Sequence, residues 1–457
     1  MKWARNQIAL ALFLALSLGH LSPAVSASTE GILPSETCRL VGNNVVGASY
    51  RYEDSGHIED WSNILKPIGV LKGVLIPLDT PDFPHSSDLS KFREFADSIE
   101  SEFRRLSSGR LNMQVDVLNR WITLPRSGAD YMNSLGFGKN VMDALTTADP
   151  YVDFSKYDFI LLKHDEKGSS VTWTGALPSL DPDQLFVKAF PDGIKKVTGA
   201  YGGYDSWSAN GYGVVEMVHE IFHTFGLPDL YMRNPDGAVP VGVFDVMSNL
   251  DLKSNSRILG WHSWKLGWID NSDVTCFSGK VTRKFTIPNT HVPKIVVLPI
   301  SQDKVIVLER WQELTNSEPR LIAYEVYTKR YVWKSRSESG RLSPIQMLRP
   351  EGAPPASMLH GDGNRNASLS VGESIQLDSA RIKLAISDQN GLHFTFTLNG
   401  EVEPKFETPA AKPSPDQASP KVFKKKLITI TCTSAGSKKK IKVTAVNPKC
   451  PKGFKRK

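Results

Sequence analysis

Two histidines four residues apart, with a glutamate beside the first, stand at His219, Glu220 and His223 in VVEMVHEIFHTFGLPDLY (214–231). On a helix of 3.6 residues per turn, Glu216, His219, Glu220 and His223 share one face. Val215, Val218, Phe222 and Phe225 share another, which would bury against a sheet. Two imidazoles one turn apart can converge on a single Zn²⁺. Glu220 is placed to take a proton from a zinc-activated water and pass it to a leaving amine. Such a metal also polarises the carbonyl under attack.

A catalytic zinc holds three protein ligands and keeps one position open. Gly226 follows His223 by three residues, where glycine can take the positive φ that ends a helix. The turn would bring Asp229 back toward the metal, with Pro228 stiffening the approach, and a carboxylate oxygen is an acceptable third ligand. Two histidines paired for purely structural reasons are the plain alternative. The helical setting, the glycine and the aspartate weigh against it.

Elements that could position this segment are legible on both sides of it. GVLKGVLIPL (69–78) is an apolar run of strand length, closed by Asp79, Pro81 and Pro84. Residues 88–106 carry Phe92, Phe95, Ile99 and Phe103 at helical spacing, and 107–125 reads as a turn and one or two strands. A helix near 138–147 and a buried strand over Tyr157–Leu162 follow. Strand, helix, strand, helix, strand implies an α/β layer. After about residue 270 the texture becomes short β-rich runs separated by turns, which predicts an all-β sandwich over 275–400.

The ends of the chain differ from its middle. Lys2, Arg5, an apolar run over Ile8–Leu18 and small residues at Val25-Ser26-Ala27 predict a signal peptide over 1–27. No later segment has transmembrane length, so the mature chain is expected to lack a transmembrane segment, to be secreted and to begin near Ser28. Residues 28–65 show little pattern and read as a leader or pro-region. EVEPKFETPAAKPSPDQASPK (401–421) is a Pro-rich linker, and 422–457 form a basic, disulfide-stapled module of two β-like runs.

The four cysteines suit an exported chain and allow three pairings. Cys432 and Cys450 share one short segment, and pairing them leaves Cys38 with Cys276. A competing role for Cys38 is a free thiolate capping a metal in a latent form. Charge is divided unevenly. Residues 421–457 hold thirteen Lys and Arg and no acid, so within a net charge of +7 the first 420 residues carry −6. A basic end on an acidic body would bind a polyanion. Export makes an anionic cell-envelope polymer the expected partner, with no nucleic acid expected.

HEIFHTFGLPDLY resembles the zinc-binding segment of the immune inhibitor A family of secreted bacterial metallopeptidases, a metzincin-like group. The family pattern, His-Glu-x-x-His-x-x-Gly-x-x-Asp, implies zinc ligands at His219, His223 and Asp229 and the base at Glu220. Met247 in VGVFDVMSN lies where the resemblance implies a methionine turn beneath the zinc. The likeness covers about 66–400 and is most specific over 219–247. It implies that structural Ca²⁺ can be present, although no Asp/Asn/Gly loop here is regular enough to place one. Tyr231 and His262 could each stabilise an oxyanion; both are read as structural.

These readings combine into an α/β (α+β), zincin-like catalytic domain over 66–274, then the β-sandwich, the linker and the C-terminal module. The expected function is a zinc-dependent endopeptidase acting on protein or peptide substrates. The alternative is an exported envelope-binding protein whose zinc is structural and closed by four protein ligands.

Overall fold

The computed structural model describes residues 31–42, 55–61, 64–165, 175–177, 199–202, 212–231, 240–248, 257–277, 283–312, 318–328, 343–353, 365–377, 382–390, 393–399, 428–434, 440–445, 450 and 454–456. The expected signal peptide and Pro-rich linker lie outside these residues. The chain divides into two compact units, Met1–Lys405 and Phe406–Lys457, in a mixed α/β, sheet-rich arrangement.

The first unit opens its main sheet with β1 (Gly69–Asp79), the run expected over 69–78. Helix α1 (Ser90–Leu106) carries the chain to β2 (Leu111–Val117), which pairs parallel to β1. The expected stripe forms: Phe92, Phe95, Ile99 and Phe103 are all buried. Burying each such side chain contributes roughly 1.5–3 kcal/mol relative to leaving it in water. A second helix, α2 (Gly136–Ala148), precedes β3 (Phe159–His164), parallel to β1 on its other side. Then come β4 (Gly175–Leu177) and β5 (Gly199–Gly202). The sheet order is β2-β1-β3-β5-β4, parallel except for β4, which runs antiparallel to β5 at the end of that order.

β1 is apolar on both faces because both are covered. Val74, Ile76 and Leu78 join a cluster with Val141, Ala144 and Leu145 of α2. Leu71 and Leu75 join the larger cluster with α1 and with helix α3 (Tyr212–Thr224), which carries the histidine pair.

Two further sheets hold the β-rich half. One contains β6 (Val274–Phe277), β8 (Ile295–Ser301), β9 (Lys304–Trp311), β10 (Arg320–Tyr327) and β11 (Ile345–Met347). The other contains β7 (Arg283–Pro288), β12 (Ser374–Leu377), β13 (Ile382–Gln389) and β14 (His393–Asn399). Ile306, Leu308 and Leu321 face Phe394, Phe396 and Leu398 in a core between the two sheets. The alternate residues Val305, Val307, Ile322 and Tyr324 point the other way and join the core that holds α1 and α3. The β-rich half and the histidine-bearing half therefore share one apolar cluster.

Within 28–65, expected as a leader or pro-region, the described residues 31–42, 55–61 and 64–65 are built into this unit. Ile32–Leu33 pairs antiparallel with β6, and Cys38 is disulfide-bonded to Cys276 with Cα atoms 5.6 Å apart. His57 packs edge-on against Trp261 and Trp264, at 4.8 and 4.4 Å between ring centres. Burial, with Arg39 and Lys265 nearby, lowers its pKa to about 3, so it packs there as a neutral ring. Trp261 Nε1 donates to Ser55 O at 2.6 Å, and Leu65 N donates to Thr224 O at 3.1 Å. A cut after residue 65 leaves the segment covalently attached through Cys38.

In the second unit β15 (Ile428–Ser434) lies between β16 (Lys440–Ala445) and β17 (Phe454–Arg456), both antiparallel to it. The third strand adds to the two β-like runs legible in the sequence. Cys432 is buried and bonded to Cys450, which gives the module its staple. Register sets Thr433 between Lys440 and Lys455, and Thr431 opposite the exposed Lys442. Among the described residues no helix is long and apolar enough to cross a membrane.

Candidate metal centre

Helix α3 is held by its apolar face. Val215, Val218, Phe222 and Phe225 are buried in the main cluster, with Phe103 ring centres 5.1 and 5.6 Å from Phe222 and Phe225. That packing fixes the opposite face, which bears His219, Glu220 and His223. The helix ends at Thr224, and two residues on Gly226 has a φ of +83°, the left-handed conformation expected of it. A Cβ at Gly226 would sit 3.1 Å from both Ile58 and Ile64, so the N-terminal segment also braces this turn.

Past the turn, Asp229 returns to the helix. Its Oδ1 lies 3.2 Å from His219 Nε2 and 3.3 Å from His223 Nε2. All three residues are buried, and their donor atoms lie within 4.8 Å of one another, a group that could hold a metal ion. The structure thus brings together the three residues expected as ligands. Among the described residues no fourth His, Cys, Asp or Glu joins them.

Backbone carbonyls set the imidazole tautomers. His219 Nδ1 is 3.0 Å from Val246 O, and His223 Nδ1 is 2.8 Å from Leu227 O. A carbonyl oxygen only accepts, so each Nδ1 carries its proton and donates. In the neutral ring each Nε2 then presents its lone pair toward the shared point. Two nitrogen lone pairs and a carboxylate oxygen this close repel one another unless a proton or a metal ion stands among them. The donor set, two imidazoles and one carboxylate, suits a divalent metal such as zinc.

The charges agree with the geometry. Burial opposes a charge on His219, yet Asp229 and Glu220 outweigh it and push its pKa up to about 9. Burial also opposes the Asp229 carboxylate, but the two imidazoles hold its pKa well below the usual range. Both directions describe a cluster set to receive positive charge. Glu220 lies one residue from His219 and is 9% exposed, so it is sheltered without being sealed.

Met247 is fully buried in the main core. The backbone around it meets both metal-bearing segments: Val246 O accepts from His219, and Met247 O accepts from Leu230 N at 2.8 Å. Tyr231 lies close, its ring centre 6.0 Å from that of His219. His262 is fully buried with Nδ1 2.7 Å from Asp245 Oδ2, a structural position.

Sequence reasoning passed over Asp245, Lys265 and the two carbonyls. Asp245 stands two residues before Met247, and that closeness was the one signal available for it. A carbonyl has none. No protein-family model matches the chain, and no curated protein matches it.

Proposed function

We propose that the chain is a secreted zinc endopeptidase, with a zincin-like catalytic half akin to the immune inhibitor A group it resembles. One observation carries this reading. Three ligand atoms from His219, His223 and Asp229 converge, and an acidic side chain, Glu220, stands beside them without being needed as a ligand. A closed structural site would have four protein ligands and no use for the spare acid.

Zinc, when bound there, supplies a Lewis acid that polarises a carbonyl and lowers the pKa of water toward ~7. The chain's own groups do the rest. The Glu220 carboxylate accepts a proton from the attacking water and delivers it to the leaving nitrogen. His219 and His223 stay fixed in one tautomer by their carbonyl partners, so neither competes for that proton at Nδ1. Among the described residues the antiparallel strand β4 ends the sheet order, and it lies against α3. An extended peptide adding to that edge would run past the histidines with its backbone bonded to the sheet.

The test is hydrolysis of casein by the purified, zinc-loaded chain. Treatment with 1,10-phenanthroline should abolish cleavage, and added Zn²⁺ should restore it. A zinc-loaded chain that leaves casein intact overturns the reading.

The basic second unit suits attachment to an anionic envelope polymer. Lysines lie on both strands flanking β15, and residues 421–457 hold no acid to offset them. Binding of the full chain to such a polymer should fall steeply with salt. Reversing three charges (K440E, K442E, K455E) should weaken it about tenfold or more. Equal retention by parent and variant, read by co-sedimentation, would reject this attachment.

A further inference from the structure

We propose that the short helix α4 (Gly260–Lys265) is a clamp that fixes both metal-bearing segments, with Asp245 and Lys265 as its positioning residues. This rests on the metal-centre reading above and adds the device that holds the ligands in place.

One end of α4 reaches His219 through Asp245. The Asp245 carboxylate accepts three hydrogen bonds and is fully buried. Oδ1 takes the Met247 N–H at 2.8 Å, while Oδ2 takes the Leu259 N–H at 3.0 Å and His262 Nδ1–H at 2.7 Å. The first of these bonds shapes the turn that contains Val246; the other two belong to α4 and the residue before it. Val246 O in turn accepts from His219 Nδ1 at 3.0 Å. The aim of the His219 lone pair is thereby tied to α4 through one carboxylate.

The other end reaches the His223–Asp229 turn. Lys265, buried at the last position of α4, donates from Nζ to Gly226 O at 2.8 Å. Gly226 lies between the two ligands that this turn joins. A helix of six residues therefore bonds, at its two ends, to both segments that carry ligands.

The clamp is itself anchored in the β-rich half. Gly260 N donates to Glu309 Oε2 of β9 at 2.7 Å, and Trp261 N donates to Tyr324 Oη of β10 at 3.1 Å. The fit at Gly260 leaves no room for a side chain: a Cβ would come within 2.2 Å of Glu309 Oε2. With Leu259 N on Asp245, the first three N–H groups here are taken by side chains from three separate elements. The sheet that holds β9 and β10 thus acts on the metal centre as the wall that α4 is fixed to.

Asparagine at 245 breaks this arrangement, because its amide has one acceptor oxygen and an NH₂ that would face an N–H donor. Methionine at 265 keeps the apolar stem and removes the donor. The measurement is Co²⁺ binding by the full chain, followed through the visible absorption that reports coordination geometry. We expect D245N and K265M each to bind Co²⁺ about ten- to a hundredfold more weakly than the parent, with an altered spectrum. L308A, in the core between the two β-sheets, should lower the melting temperature while leaving affinity and spectrum unchanged. If D245N does not fold, as judged by circular dichroism, K265M carries the test from the other end of the helix. Unchanged affinity and spectrum in the folded variants overturn the clamp alone. A parent chain that takes up no Co²⁺ overturns the metal centre and the clamp with it.

Discussion

Glu220→Gln should lower kcat/KM for peptide hydrolysis by about 10³-fold, within the 10²–10⁴ range of general acid–base catalysis. That corresponds to about 4 kcal/mol of transition-state stabilisation. Glutamine keeps the size of the side chain and its hydrogen bonding but cannot take the proton at the carboxylate. The ligand atoms of His219, His223 and Asp229 are untouched by the change, and their tautomers remain set by Val246 O and Leu227 O. Metal content should therefore stay at the parent level. The measurement pairs casein hydrolysis with a zinc determination on the same protein. Asp229→Asn gives the contrasting result, losing metal and activity together. A Glu220→Gln variant that retains zinc and cuts at the parental rate would remove Glu220 from the mechanism.

A pH effect of comparable size should come from Glu309, far from the ligands in sequence. Burial drives its pKa up to about 8, with Asp245 adding to the rise and the Gly260 N–H opposing it; its Tyr324 hydrogen bond also opposes the rise. The folded chain holds this proton across a range where an unfolded chain, with its carboxyl near the ordinary value of ~4.3, has released it. The unfolded state then binds fewer protons, so stability falls as pH rises through that window. The stabilisation is fully present below the unfolded value and is lost by the time pH has passed about 8. One proton sets a limiting slope of roughly 1.4 kcal/mol per pH unit. Urea unfolding of the parent and of Glu309→Gln at pH 5.5, 7 and 8.5 checks this. The variant should lose that part of the slope, since glutamine still accepts from Gly260 N without titrating. Parallel slopes for the two proteins would show that Glu309 does not carry the effect.

The residues of the candidate metal site were legible because their geometry is local. Helical spacing alone puts His219, Glu220 and His223 on one face, and a single glycine explains how Asp229 returns. The strands were legible for a related reason: apolar runs such as KVIVLERW have no polar alternation. The structure explains that absence, since Ile306 and Leu308 face one core while Val305 and Val307 face another. Residues 31–65 were harder to read. Their structure comes from single contacts with distant residues, Cys38 with Cys276 and Ser55 O with Trp261, rather than from any repeat of their own. The clamp was hidden for the same reason. Asp245, Lys265, Glu309 and Tyr324 meet only after one β-sheet has packed on α4, and His262 shows its role only once Asp245 is beside it.

Both disulfides join cysteines that are neighbours in chain order, Cys38 with Cys276 and Cys432 with Cys450. Four cysteines allow three pairings, and this is the one reached when thiols are oxidised in order of emergence. A chain delivered N-terminus first therefore needs no reshuffling to arrive at its native bonds. Cys38 waits for a partner 238 positions later, and that span includes all three candidate metal ligands. The ring can close only after the whole metal centre has emerged, whereas the terminal pair closes a loop of 18 positions on its own. The Cys38–Cys276 bond thus ties the N-terminal segment to the body that carries the candidate metal site, and the terminal bond closes independently of it.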